Sequence, residues 1–356
     1  GLVIHAHLLF IIPDVAKDFE IENIAQPEDW VMIITGFISN WRMPLFFLLS
    51  GFFAVLVVDR KGTSYFIKDR IIRIGLTCLL FSSFYDILDG TFDFTTGHLW
   101  FLYELMIFVL CFSLLYNVQI VKDLLCRAIP TKIFMIIVVW LIATVPIAHI
   151  LNNSLHALAL KPSVTYFDLK LGNLVYYFSY FLLGVILYAN QNIFSRLAEN
   201  KSIAVLGVLS LLAYFLELYS VSLTFGEVKD FRSLAQIEFD PTMVLLNAFV
   251  KGVNSICWCL FLIGLVSKFI RSGSAILSWF VELSYPIYIL HVIPLVILSA
   301  VFFHAGLSQI SIFLLTIITG FIVCVILYYV LIKFTPVNYL VNGYSKSPLK
   351  IKLWRS

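Results

Sequence analysis

Residues able to do acid–base or electrostatic chemistry stand inside stretches of this chain that are otherwise apolar: His5, Arg42, Glu104, Glu217, Lys251, Glu282 and His291. A charged side chain at the centre of a bilayer costs roughly 2.5–3.5 kcal/mol on insertion scales, so each asks for a reason. Histidine is the side chain most often used to move a proton to or from a reacting oxygen. Arginine can hold a developing oxyanion or a carboxylate, and a glutamate can orient an imidazole. His98 joins the set at the start of an apolar run that also carries Glu104. His7 is two residues from His5, faces another way on a helix, and is expected to pack. His149, His156 and His304 lie near span ends, where an interfacial role is the default. Glu217 and Lys251 fit either a buried pair or a water-filled crevice, and the pattern assigns no role to Glu282.

The elements that must position these groups are membrane helices. The chain has 356 residues, 61% hydrophobic and only 13% charged, with a mean hydropathy of +0.98. A soluble domain carries roughly 25% charged residues, so the polar surface needed to face water is missing. Apolar runs separated by charge, Gly and Pro clusters predict an all-α, polytopic bundle of about ten spans. The first is a stub at 1–12. The others fall at 31–58, 71–88, 98–118, 133–151, 171–189, 202–222, 242–267, 276–303 and 309–332. Residues 1–356 read as a single integral-membrane domain. The chain begins inside an apolar run, so the start of the first span is expected upstream of Gly1. Six cysteines lie in apolar segments or in one basic loop, and no disulfide framework is expected.

Loop charges orient the bundle. One set of alternate loops carries Arg60, Lys61, Lys68, Arg70 and Arg73, then Lys122, Arg127 and Lys132, then Arg196 and Lys201, then Lys268 and Arg271. Lys333, Lys346, Lys350, Lys352 and Arg355 continue it into the tail. The other set is acidic: Asp14, Asp18, Glu20, Glu22, Glu28 and Asp29, then Asp86, Asp89 and Asp93, then Glu227, Asp230, Glu238 and Asp240. Lys17, Lys161, Lys170, Lys229 and Arg232 depart from the pattern. The positive-inside rule then puts both termini in the cytoplasm. With a rise of about 1.5 Å per residue, His5 lies roughly 11 Å below the outer end of its span and Arg42 roughly 17 Å below the end of the next. His98 sits at an outer mouth, Glu104 is deeper, and His291 falls in the outer half of the ninth span. Four spans thus turn polar groups towards one slab, which suggests a cavity open outward. On the cytoplasmic side Lys68, Arg70 and Arg73 cluster. Arg70 and Arg73 are three apart, would share a helix face, and suit either phosphate binding or ordinary anchoring.

Five stretches resemble the acyltransferase-3 family of membrane acyltransferases: Gly1 to His5 (GLVIH), Trp41 to Phe53 (WRMPLFFLLSGFF), Arg70 to Arg73 (RIIR), Gly97 to Leu102 (GHLWFL), and Ser284 to His291 (SYPIYILH). Within the family the resemblance is strongest to the subgroup that succinylates osmoregulated periplasmic glucans. It covers both ends of the chain; the middle, about 119–270, carries no motif of the family. The family places an arginine about eleven residues before its first-span histidine, a position upstream of Gly1. The subgroup often has a second histidine where Val292 stands. The resemblance implies transfer of an acyl group, succinyl before acetyl, from cytoplasmic acyl-CoA to a hydroxyl of a periplasmic glucan or other cell-envelope glycan. It implies His5 as general base, with Arg42, His98 and Glu104 as further catalytic residues. It also implies Lys68, Arg70 and Arg73 at the CoA, and His291, Trp100 and Tyr288 at the acceptor. No metal is expected, because no tight ligand motif is present. The expected partners are the donor, the glycan and the lipid bilayer of a bacterial inner membrane, with no nucleic acid. The rival reading is a multi-pass transporter or flippase, against which stands the absence of an inverted repeat.

Overall fold

The computed structural model describes residues 1–21, 26–91, 93–157, 159–225, 238–270 and 272–343. Among them eight helices are long and apolar enough to cross a membrane, and nine if a bent pair is counted as one span. The expected all-α polytopic bundle is what forms. Thr95 and Thr165 make an isolated antiparallel bridge in a loop. Glu22, Glu227, Lys229, Asp230, Arg232, Arg271, Lys346, Lys350, Lys352 and Arg355 lie outside the described residues.

The N-terminal stub consists of two single turns, α1 (Leu2–His5) and α2 (Leu8–Ile11). There follow α3 (Asp29–Lys61), α4 (Thr63–Leu88), α5 (Trp100–Tyr116), α6 (Thr131–Leu151), α7 (Leu171–Ala189), α8 (Asn200–Phe225) and α9 (Pro241–Phe269). The bent pair is α10 (Ala275–Leu290) and α11 (Val292–His304), and the last span is α12 (Gln309–Lys333). A short helix, α13 (Val337–Asn342), closes the described chain. Helix α3 has 33 residues, so it is roughly 50 Å long and outreaches a hydrocarbon core of about 30 Å. The expected edges were short mainly at polar helix ends, which hydropathy undervalues. Helix α4 contains a π-helical turn at Ile71–Leu76, and α12 ends in another at Tyr328–Lys333. Both turns pack against α13.

Without a hydrophobic drive between helices in lipid, close packing depends on small residues. The α3–α7 contact shows this reciprocally. A Cβ at Gly51 would lie 1.9 Å from the carbonyl oxygen of Phe181, and one at Gly184 would lie 1.8 Å from that of Leu48. Neither backbone can yield without separating the helices. Gly184→Val is therefore expected to abolish the monodisperse, detergent-stable protein. Gly36→Val on the same α3, where nothing lies within 4 Å, should leave the thermal transition in place. Fluorescence-detected size exclusion after heating reads the difference.

The proline inside α3 is accommodated because another side chain reaches the freed backbone. Pro44 has no N–H for the carbonyl of Asn40, and the Ser255 hydroxyl donates to that oxygen at 2.7 Å. Asn40 in turn donates to Glu217 at 2.8 Å, and Asn254 donates to the same carboxylate oxygen. Lys251 is near enough for its charge to act on Glu217. These two residues thus belong to one buried polar knot joining α3, α8 and α9. Glu282 pairs with Lys333 at 2.8 Å and accepts the Tyr328 hydroxyl at 2.6 Å, tying α10 to the end of α12.

Candidate active site

The functional geometry starts from a break. Pro294 lacks an N–H, and its ring would crowd the carbonyl of Leu290 four residues earlier. The span expected to run through 276–303 is accordingly two helices, α10 and α11, meeting at 71° with His291 between them. Backbone oxygens released in an apolar interior must find donors. The Tyr288 carbonyl takes Nδ1 of His291 at 2.7 Å. The Ile289 carbonyl takes the Tyr85 hydroxyl at 2.7 Å and Nε2 of His98 at 3.3 Å. A carbonyl oxygen only accepts, so His291 carries a proton on Nδ1 and His98 carries one on Nε2.

His5 is the last residue of α1, just before a second interruption that separates it from α2, and α1 packs on α11. Nδ1 of His5 lies 2.7 Å from Nε2 of His291, with the rings 5° from parallel and their centroids 4.8 Å apart. His98 stands edge-on to both, 6.4 Å from His5 and 5.6 Å from His291 between centroids. Three histidines far apart in the chain therefore form one cluster. His7 turns the other way and sits against Phe313. His149, His156 and His304 each meet a loop carbonyl, of Ser154, Phe239 and Phe19 respectively.

His98 is held by a loop with its own supports. Gly97, just before it, has φ +49°, a conformation open to glycine but strained for most side chains. Asp86 accepts from the Thr95 backbone N–H at 3.2 Å and from the Thr95 hydroxyl. The Thr96 N–H and hydroxyl both donate to the Val164 carbonyl. Asp86, which the charge pattern assigns to an acidic loop, is 4% exposed and serves as this anchor. Tyr85, whose ring lies 4.8 Å from that of His98, has no place in the sequence reading.

A cavity of 590 Å³ opens beside His5 and His98, within the size range of small-molecule sites. Tyr85, Ser82, Asp18 and Asp89 form its polar side, and Leu8, Ile12, Val292 and Val296 part of its apolar side. His291 is fully buried and stands behind His5, outside the lining. Arg42 comes from α3 and lies outside the cavity lining. Its charge acts on His5, His291, Tyr177 and Tyr288, while Nε and Nη1 are buried and reach no hydrogen-bond partner among the described residues. Burying a guanidinium this way is costly unless an anion or a polarised oxygen meets it.

Tyr288 of α10 packs against His98 and His291, and Trp100 opens α5; neither belongs to the cavity lining. The Tyr288 hydroxyl donates to the His98 carbonyl at 3.4 Å, and the Trp100 ring lies 5.6 Å from that of Tyr177. Glu104 is not with the histidines. Six residues beyond His98 it faces across the helix towards Ser163 and Asn173, and neither carboxylate oxygen reaches a hydrogen-bond partner among the described residues.

The acyltransferase-3 family model, described as an acyltransferase domain, matches residues 2–329. The chain belongs to the acyltransferase-3 family. No curated protein and no solved structure matches it. As a multi-pass membrane acyltransferase it carries the histidine cluster on segments from both ends of the matched region.

At the other end of α4 this acyltransferase assembles its basic group. Arg70 stands just before the π-turn and Arg73 within it, and the i to i+5 bonding there turns residues three apart away from the shared face of an α-helix. They still converge, through Asp69: Arg70 Nε is 4.0 Å and Arg73 Nη1 3.7 Å from its carboxylate. The Arg70 guanidinium lies over the Phe66 ring, and Arg73 Nε reaches the Val341 carbonyl of α13 at 3.4 Å. Lys68 stands exposed nearby. Arg70 also lines a 180 Å³ cavity with Ser50, Phe66, Leu105 and Phe181, between α3, α4, α5 and α7.

Proposed function

We propose that this acyltransferase moves a succinyl group, or secondarily an acetyl group, from acyl-CoA in the cytoplasm to hydroxyls of a periplasmic glucan or another cell-envelope glycan. This is the activity of glucans biosynthesis protein C, which its motifs most resemble, in the inner membrane of a Gram-negative host. The observation that carries the reading is His5: a histidine at the wall of a 590 Å³ cavity, with the charge of Arg42, whose Nε and Nη1 reach no hydrogen-bond partner among the described residues, bearing on it. His5 takes the proton of the acceptor hydroxyl as that oxygen attacks the thioester carbonyl. Arg42 meets the oxyanion that develops, with His98 beside it. Trp100, Tyr288 and the cavity wall receive the acceptor. Glu104 acts through the packing of α5 against α7, and no metal takes part. Loop charge supports placing the Arg70–Arg73 end in the cytoplasm, where those guanidinium groups and Lys68 meet the phosphates of CoA.

The test is free-thiol release by purified protein given succinyl-CoA or acetyl-CoA with and without glucan. Release that depends on the acceptor is expected, faster with succinyl-CoA; no release with either donor would overturn the reading. An Arg70→Ala/Arg73→Ala variant should raise the KM for succinyl-CoA by on the order of 10- to 100-fold, from the loss of charge-assisted hydrogen bonds, with kcat kept. Succinyl-pantetheine, which lacks the phosphates, should be used equally well by both proteins.

A further inference from the structure

We infer that His291 is a positioning residue, and that the break at Pro294 exists to set the tautomer of His5. The inference rests on the reading of His5 as general base and goes beyond it by assigning the basic atom and its partner. The chain of donors is fixed at one end by the backbone. The Tyr288 carbonyl can only accept, so Nδ1 of His291 donates to it at 2.7 Å and Nε2 of the neutral ring is left with a lone pair. That lone pair faces Nδ1 of His5 at 2.7 Å, so His5 donates from Nδ1. The remaining nitrogen of His5, Nε2, then carries the lone pair that serves as base. In an unbroken helix the Tyr288 carbonyl would accept a backbone N–H, and nothing would choose between the tautomers of His291.

Burial separates the roles. His291 is fully buried and does not line the cavity, whereas His5 does. The rings, 5° from parallel and joined edge to edge through this bond, hold His5 in one orientation. His98 stands outside this chain, its Nε2–H taken by the Ile289 carbonyl and its Nδ1 left unprotonated. In the reaction, Nε2 of His5 accepts the acceptor's hydroxyl proton while the oxygen forms its bond to the thioester carbon. The C–S bond then breaks, and the departing thiolate takes the same proton back from Nε2. His5 ends neutral, with Nδ1–H still donated to His291 throughout.

Losing the group that fixes a catalytic imidazole's tautomer can lower kcat by up to about 10⁴. Three variants test the assignment: His291→Leu, His291→Gln and His5→Ala, each first shown by size exclusion to be folded. His291→Leu is expected to lower kcat by about 10² or more with the acceptor KM within a few-fold of wild type. His291→Gln can accept from His5 through Oε1 and donate to Tyr288 through Nε2, and should recover kcat to within about tenfold. A rise in acceptor KM at unchanged kcat in His291→Leu would make His291 a binding residue and overturn the proposal. Equal loss in the folded Leu and Gln variants would reduce it to packing, with the same consequence. Full activity in His5→Ala would instead sink the general-base reading, a result distinct from any outcome at His291.

Discussion

Replacing His5 with alanine is expected to lower the rate of acyl transfer by about 10²- to 10⁴-fold, the range that positioned proton transfer contributes. The binding of donor should survive, because the basic group around Arg70 lies at the other end of α4. Equilibrium binding of a non-hydrolysable CoA thioether, alongside thiol release, separates the two effects. The structural cost of the change is small: His5 is partly exposed to the cavity, so alanine leaves no closed void. Full turnover in His5→Ala would remove His5 from the mechanism.

The second large effect is expected at Arg42. Arg42→Gln keeps much of the side chain's length and polarity but removes the charge that acts on His5 and His291. If that charge meets the oxyanion, kcat falls by about 10²- to 10³-fold with succinyl-CoA and with acetyl-CoA alike, as when a fixed oxyanion donor is lost. Parallel donor titrations decide the role. Loss confined to succinyl-CoA, with acetyl-CoA unaffected, would assign Arg42 to the succinyl carboxylate instead. Stability should not suffer, since Nε and Nη1 give up no hydrogen bond among the described residues.

Much of this architecture was legible because a bilayer imposes few solutions. Apolar run length located the spans without any knowledge of packing. Depth along each helix put His5, His98 and His291 in one slab, and they do meet. Rotation about the helix axes was not legible, because it depends on neighbours. Glu104, assigned to orient a histidine, instead faces Ser163 and Asn173. Asp86 counted as a loop acid by charge alone, although Thr95 satisfies it in the interior. The break at His291 was invisible to hydropathy, since Val292, Ile293 and Pro294 are all apolar; only the missing N–H of Pro294 announces it. The splay of Arg70 and Arg73 is hidden likewise, because no residue type marks a π-turn.

The most direct measurement of the central claim uses proteoliposomes with the glucan acceptor sealed inside and succinyl-CoA supplied only outside. Protein reconstituted with its Arg70–Arg73 face outward is expected to release free thiol outside, one for each succinyl ester found on the enclosed glucan. His5→Ala vesicles are expected to do neither. Movement of glucan or succinate across the bilayer without thiol release would contradict the account and identify a transporter.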